Sequence, residues 1–484
     1  MRGDRRRLAE HRVVTETDAC VTPSLPDQRD TIDYIRSLSK PTVAEVLRVA
    51  AVQGQVAIQP RCGVGGHDEM IALLVALETG ARPDVLTLTI DSHTRLNHFD
   101  RASQVLASAP ANLNGYPLVS HGWQRGREIN HQVGVPIEVR HGSPRPQALF
   151  EVSLSAGFTS FEGGGISYNI PYSKNVPLAE SLAAYRYVDA RCGELARAGI
   201  IVDRELFGTL TAVLVPPSIG LAISVIEAVS AAQHGVRCIS VSYPQGGNLT
   251  QDIAALRAVP ALAAKYLPPD VEVYPVLHEF MGVFPRSRVR AEQLIFYGAL
   301  VARLGGAAKL ITKTCQEAYG IPDAESNASA MRLARLANST LLDFVTVPQD
   351  AVAEEQHWIE REVADLVEPI VQTDDLDRAV VAAFRRGSLD VPFSASVHAH
   401  SAVLPRRDAT GAIRYFDLGG LPFGATIRRR NEQLLAHCRD ADPGGLVQGL
   451  TADINYFLEA PEESDFDFVS SPVTVAGRQR ADRP

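Results

Sequence analysis

Apolar positions along this chain settle into a repeating rhythm from about residue 50 onward. Short apolar segments end in polar residues or glycine, and helical patterns follow them. Eight segments of strand type stand at 56–60, 85–90, 113–119, 137–139, 158–161, 238–242, 271–277 and 309–312. Most are one strand-plus-helix unit apart, which predicts the α/β class and a parallel (β/α)8 barrel of the TIM type. A further stretch, 201–215, also reads as extended. Either it is a barrel strand and one of the eight is not, or it is an excursion. Helical spacing predicts a helix over 178–198 ending at Gly199, and another from Pro217 to Gln233 stopped by Gly235. Residues 1–45 are polar with scattered prolines and read as an N-terminal arm with one short helix over 31–38. The barrel is expected over 46–388. Residues 389–484, with aromatic and β-branched segments among Gly and Pro, read as a C-terminal extension whose last part, from Pro461, is a loose tail.

Composition narrows the class. The chain has 484 residues, 45% hydrophobic and 21% charged, which excludes a disordered chain, a coiled coil and a fibre. Its 47 Lys+Arg against 56 Asp+Glu leave a net charge of −9, which argues against a nucleic-acid partner. Only five basic residues are lysines (Lys40, Lys174, Lys265, Lys309 and Lys313), so a lysine within a site is informative. The cysteines Cys20, Cys62, Cys192, Cys238, Cys315 and Cys438 are scattered, with no zinc or redox spacing. A cytoplasmic, reducing setting is expected. No apolar stretch follows the basic start at Arg5, Arg6 and Arg7, and the longest apolar run, 206–226, is broken by Pro216 and Pro217. Neither a signal peptide nor a membrane span is expected.

In a barrel of this kind the site lies where the strands end. The residues there are Arg61, then Asp91 to Arg95, Arg140 with His141, Glu162 with Gly163, Gly164 and Gly165, then Tyr243, His278 and Lys313. Asn114 falls near the start of the third segment. Guanidinium groups bind carboxylates through paired hydrogen bonds, so Arg61, Arg95 and Arg140 suit a small dicarboxylate. Surface arginine is the plain alternative. Glu162 beside them suits an ammonium group or a proton. The three glycines allow either close approach to a ligand or a tight turn. Tyr168 and Tyr172 follow. Several look-alikes fail. Gly63-Val64-Gly65-Gly66 lacks the last glycine of a dinucleotide fingerprint. Asp91-Ser92-His93 opens like the cobalamin-ligand motif Asp-x-His-x-x-Gly, but Leu96 stands where glycine belongs. The histidines have no metal-ligand spacing, so no metal site is expected. The residues alone reach an acidic barrel enzyme for a small anionic substrate.

The run FTSFEGGGISYNIPYSK over residues 158–174 carries a resemblance. With QPRCG at 59–63, LNGYP at 113–117, VRHGSP at 139–144, KTCQEAYGIP at 313–322, MGVFP at 281–285 and DVPF at 390–393, it resembles the large (epsilon) subunit of glutamate mutase, also called methylaspartate mutase. The resemblance covers nearly the whole chain apart from its ends. It implies a (β/α)8 barrel that catalyses the reversible radical rearrangement of L-glutamate to threo-3-methyl-L-aspartate. It also implies adenosylcobalamin as cofactor, with cobalt ligated by a separate small subunit, and a heterotetramer holding two copies of each chain. By this resemblance Arg61, Arg95, Arg140, His141, Glu162, Tyr168 and Tyr172 bind substrate, with Glu162 also catalytic. Gly63, Asn114, Pro171, Phe284, Lys313, Glu317 and Ile321 then surround the cofactor. Three positions depart from the family's pattern: Phe161, Pro244 and the pair Cys315-Gln316. Phe161 motivates one alternative, a cobalamin-dependent mutase acting on a related amino acid; a second, of another class, is a non-catalytic scaffold for the small subunit.

Overall fold

A computed structural model describes residues 24–209, 214–438 and 443–458. Eight strands form one parallel sheet: β1 (Ala57–Gln59), β2 (Leu86–Thr89), β3 (Ile137–Arg140), β4 (Ser160–Glu162), β5 (Asp203–Leu206), β6 (Cys238–Pro244), β7 (Glu272–His278) and β8 (Lys309–Ile311). Ladders run from β2 round to β8 and on to β1. Single bonds join β1 to β2: the Asp84 and Thr89 N–H groups donate to Ile58 O and Cys62 O, both at 3.0 Å. The expected (β/α)8 barrel is present, with helices between successive strands.

The stretch 201–215 supplies β5, although 210–213 lie outside the described residues. The segment 113–119 is not a strand, a correction to the pattern reading. There a single turn over Pro110–Asn112 is followed by a lone bridge from Tyr116 to Ile90, and the helix Leu118–Gln132 begins. The segment lies across the end of β2 and is buried there: a Cβ on Gly115 would stand 2.7 Å from the Asp91 backbone nitrogen. Burial beside a strand demands the same apolar residues as burial within one, so periodicity could not separate the two. The helices Leu178–Arg197 and Pro217–Gln233 follow the expected periodicity. The first helix, Gln28–Ser37, is capped by Asp27, whose carboxylate accepts from the Asp30 N–H at 2.8 Å. Cys20, most of the expected arm before Ser24 and the tail from Pro461 lie outside the described residues. Among the described residues no helix is long and apolar enough to cross a membrane.

The two ends of the barrel differ. At the N-terminal end the helix Val43–Gln53 forms a plug, with Val43, Ala44 and Leu47 packed on Val85, Cys238, Tyr274 and Ala308. Above the plug the inward positions turn polar. Strand alternation sends Glu138 and Arg140 of β3, Ser160 and Glu162 of β4, Asp203 and Glu205 of β5, and Ser240 and Ser242 of β6 to the same side. All are buried, as are His278 on β7 and Lys309 on β8.

Beyond the barrel, β9 (Leu404–Arg407) and β10 (Ile413–Asp417) form an antiparallel hairpin. It packs on the helix Gln349–Val371, where Arg414 and Arg430 hold Glu355 at 2.5 and 2.6 Å. The preceding loop reaches the C-terminal mouth. Asp390 accepts from the N–H groups of His400, Ser401 and Ala402, and Val397 N–H donates to Lys174 O at 3.0 Å.

Candidate active site

Arg140 is the last residue of β3 and points into the barrel. One guanidinium nitrogen donates to Glu138 Oε1 at 3.1 Å and to Glu205 Oε1 at 3.2 Å, and the other pairs with Glu162. Tyr168 donates its hydroxyl proton to Glu162 Oε2. Lys309 enters from β8, pairs with Glu138, and stands 2.7 Å from Glu205 Oε2. His278 Nε2 lies 3.0 Å from Glu205 Oε1, and Ser242 donates to that same oxygen at 2.7 Å. Four buried carboxylates, including Asp203, therefore share two permanent cations.

That imbalance decides the protonation states. Burial, opposed by Arg140 and reinforced by the charges of Glu205 and Glu138, pushes Glu162 up to about 8. Burial and the Glu205 charge push Glu138 up to about 7. Burial alone would also raise Glu205, but Lys309, Arg140 and the His278 hydrogen bond outweigh it and hold it well below the usual carboxylate range. Glu205 is the anion of the group, and Glu162 is poised to gain or lose a proton near neutral pH.

The sequence-predicted residues divide into two groups. Glu162 and His141 stand against Tyr168, and Arg140, Tyr168 and Tyr172 come together around the Phe207 ring. Its centroid lies 5.8 Å from the Arg140 guanidinium carbon, and 5.2 and 6.0 Å from the Tyr168 and Tyr172 rings. Arg95 sits on a one-turn helix, Ser92–Arg95, capped by Asp91. Its Nε is buried without a hydrogen-bond partner. The bare face of Gly142 separates it from Tyr172: a Cβ there would meet Arg95 Cδ at 3.5 Å and Tyr172 Cδ1 at 3.8 Å. His141 is more tied than expected. It takes the Ser143 N–H on Nδ1 at 3.0 Å, so Nε2 carries the proton and donates to Glu162 O at 2.8 Å. Burial and the Arg204 charge keep the ring neutral, well below its ordinary pKa.

The second group gathers at β8 and β1. Glu317 pairs with Lys313 and lies 3.7 Å from Arg61. Burial and the Arg61 charge lower Lys313 to about 7. Its backbone N–H donates to Glu279 at 2.5 Å. Gly63 is required by packing, because a Cβ would meet Thr89 O at 2.6 Å. Asn114 accepts from the Ser92 N–H at 2.9 Å and so ties its loop to the Arg95 turn. Pro171 is half-buried beside Tyr172, and Ile321 is exposed. Phe284 is buried in a cluster with Phe280, Leu294 and Ile295, against which Cys315 and Ala318, beside Lys313 and Glu317 in the chain, also pack.

The remaining sequence questions also resolve. The triple glycine serves packing inside the chain: a Cβ on Gly164 would strike the Glu227 carboxylate at 2.2 Å. Glu227 in turn accepts from the N–H groups of Ile166 and Ser167, both at 2.8 Å. Phe161 points outward, against Phe150 at 4.9 Å, because β4 alternation sends only its neighbours inward. Cys315 packs against the Phe284 cluster, and Gln316 bonds both the backbone and carboxylate of Asp323 at 2.9 Å. Sequence reasoning missed Glu138, Glu205, Lys309 and Phe207, and noted His278 only as a strand end. The signal was present in the alternating charges of Asp203 and Glu205, inside the stretch whose role was left open. Among the described residues, Glu162, Glu205 and His278 form the one carboxylate–histidine group close enough to hold a metal ion. The Arg140 guanidinium pairs with both carboxylates and so occupies the place of a cation.

The sequence matches the family Methylaspartate mutase E chain (MutE) over residues 39–443. The chain belongs to this family. Among curated MutE-type relatives, the glutamate mutase epsilon subunit of Halobacterium salinarum is 41% identical over 404 residues, covering 82% of this chain and 85% of that protein. The glutamate mutase epsilon subunit of Desulfitobacterium hafniense is 39% identical over 396 residues, 80% of this chain and 82% of its own length. That of Escherichia coli O157:H7 is 38% identical over 416 residues, 83% and 86% of the two chains.

Proposed function

We propose that this chain is the catalytic subunit of an adenosylcobalamin-dependent glutamate mutase, which interconverts L-glutamate and threo-3-methyl-L-aspartate in the cytoplasm. The observation that carries the reading is the buried Arg140–Glu162–Tyr168 cluster at the C-terminal mouth of a MutE-family barrel, with Arg61 and Arg95 at its rim. Arg61 and Arg95 bind the two substrate carboxylates, assisted by the N–H groups that Arg140 has left over. The substrate ammonium adds the positive charge that this carboxylate-rich site lacks. Its arrival favours the ionised form of Glu162, which accepts a hydrogen bond from it. Tyr168 keeps the Glu162 carboxyl in one orientation, and Tyr172 covers the cluster toward solvent.

The mouth also suits a large, partly apolar cofactor. Val283, Ile321 and Phe393 are exposed on its loops, at 42%, 58% and 49%. Polar atoms of Gln59, Asp91, Thr94 and Gln245 are buried around the same end without partners. Gly63, Asn114, Pro171, Phe284, Lys313, Glu317 and Ile321 would surround adenosylcobalamin, with Lys313 and Glu317 toward its nucleoside. When bound, that group supplies hydrogen-abstracting radical chemistry. This chain's part is to hold the substrate fragments and exclude water. A small subunit ligates the cobalt, since this chain lacks Asp-x-His-x-x-Gly, and two copies of each chain assemble.

The test is reconstitution. The chain is mixed with a small subunit, adenosylcobalamin and L-glutamate, and 3-methylaspartate is sought by mass spectrometry. Product that requires every component is expected. A complex that binds cobalamin and the small subunit but turns over no glutamate would overturn the reading. Phe161 gives no support to a different substrate, because its side chain packs away from the site.

A further inference from the structure

His278 is the last residue of β7 and is fully buried. Its ring stands edge-on to Phe207, centroids 5.4 Å apart, on the ring that Arg140, Tyr168 and Tyr172 also approach. One ring nitrogen lies within 4.8 Å of carboxylate oxygens of both Glu162 and Glu205. The two nitrogens have different surroundings. Nε2 faces Glu205 at 3.0 Å, whereas Nδ1 is buried with no hydrogen-bond partner.

We infer that His278 is a further substrate-recognition residue, whose Nδ1 lone pair accepts a hydrogen bond from the substrate's α-ammonium group alongside Glu162. The inference rests on the function proposed above.

The tautomer follows from the neighbours. Glu205 is held ionised by Lys309 and Arg140 against the opposing effect of burial, so it can only accept. Nε2 must then donate to it. Burial, with the charge of Arg140, pushes the ring down to about 3, so it carries one proton and Nδ1 is an acceptor. A buried acceptor without a donor is costly. No nearby donor reaches it: Tyr168 is engaged with Glu162, and Arg140, bound to Glu138, Glu162 and Glu205, makes no bond to Nδ1. An ammonium group brings three N–H donors and can satisfy Glu162 and His278 together. A hydroxyl group in its place brings one donor and must leave one of them unmet. The pair therefore selects an amino acid over the matching hydroxy acid.

Two substitutions separate recognition from support. His278→Gln keeps an N–H that reaches Glu205 but removes the acceptor at the Nδ1 position. His278→Asn keeps an acceptor at the Nδ1 position but cannot reach Glu205. With the reconstituted complex, His278→Gln is expected to raise KM for L-glutamate about tenfold to hundredfold, with a smaller change in kcat. It should also narrow the preference for L-glutamate over 2-hydroxyglutarate in competition. His278→Asn should raise KM less. The reverse order, or an unchanged preference between the two ligands, would overturn the inference and assign His278 to supporting Glu205. A crystal structure of the wild-type complex with L-glutamate decides the matter should either variant fail to assemble. Nδ1 within about 3 Å of the ammonium nitrogen supports the proposal, and a contact beyond hydrogen-bond range defeats it. Wild-type enzyme inactive on glutamate would sink the proposed function instead, so the two failures are distinct.

Discussion

Lys309→Met removes the ammonium that stands between Glu138 and Glu205, 2.7 Å from the latter and wholly buried. Taking one partner from a buried ion pair costs about 3–5 kcal/mol, because the charge left behind has neither partner nor water. The size of the loss depends on pH through Glu138, which burial and the Glu205 charge push up to about 7. A carboxyl with a folded pKa above its unfolded value favours the folded state fully at low pH. That contribution is lost as pH rises through the folded pKa. At pH 6 the wild-type Glu138 is mainly neutral, and Lys309 serves Glu205, which also has Arg140 and Ser242. At pH 8 both carboxylates are charged and both depend on Lys309. The variant must then either protonate Glu138 against the solvent or leave it charged and unpaired. Its loss should fall near the low end of that range at pH 6 and near the high end at pH 8. Urea unfolding followed by circular dichroism at both values reads this out as a shift of midpoint. The double variant Lys309→Met/Glu138→Gln should recover part of the pH 8 loss and abolish the difference between the two pH values. A single variant that loses less than about 1 kcal/mol, the value of an exposed pair, refutes the reasoning. So does an equal loss at both pH values.

Three further outcomes concern the assembled enzyme. Burial raises Glu162 to about 8, so kcat/KM for L-glutamate should climb as pH passes that value and the carboxylate forms. Glu162→Gln should lose that limb and about 10²–10⁴-fold in kcat. A surviving limb would assign the titration elsewhere. Tyr168 donates to Glu162 and so favours its ionised form, and Tyr168→Phe should move the limb to higher pH. A move to lower pH in steady-state profiles contradicts the assignment. Arg95→Lys exchanges a planar fork for a point charge and should raise KM for L-glutamate about tenfold to hundredfold, more than it changes kcat. Unchanged substrate affinity in that variant ends the rim-arginine reading.

The barrel was legible because its helices and most of its strands are local events. The helix Pro217–Gln233 has its proline at the start and a glycine just beyond its end, and both act within one turn. The segment 113–119 was misread for a physical reason. Its apolar residues answer to a neighbouring strand, not to a ladder of their own, and one-dimensional periodicity carries no record of the neighbour. The site shows the same division. Arg140 and Glu162 were visible as chemistry placed where strands end, and Tyr168 and Tyr172 through the resemblance alone. Their protonation was not, because the pKa of Glu162 depends on Glu205, 43 residues later, and on Glu138.

By itself the sequence determined the family of strands and helices, the rim arginines and the carboxylate among them. These follow from residue type, spacing and motif. Only the tertiary structure decided that Phe161 points away from the site and that the triple glycine makes room for Glu227. It also decided that one of five lysines, Lys309, lies at the centre of the barrel. Closing eight short strands into a ring brings side chains from β3, β5, β7 and β8 within hydrogen-bond distance across more than 170 residues of chain. In that low-dielectric interior each charge sets the state of the others, and no single segment contains that information.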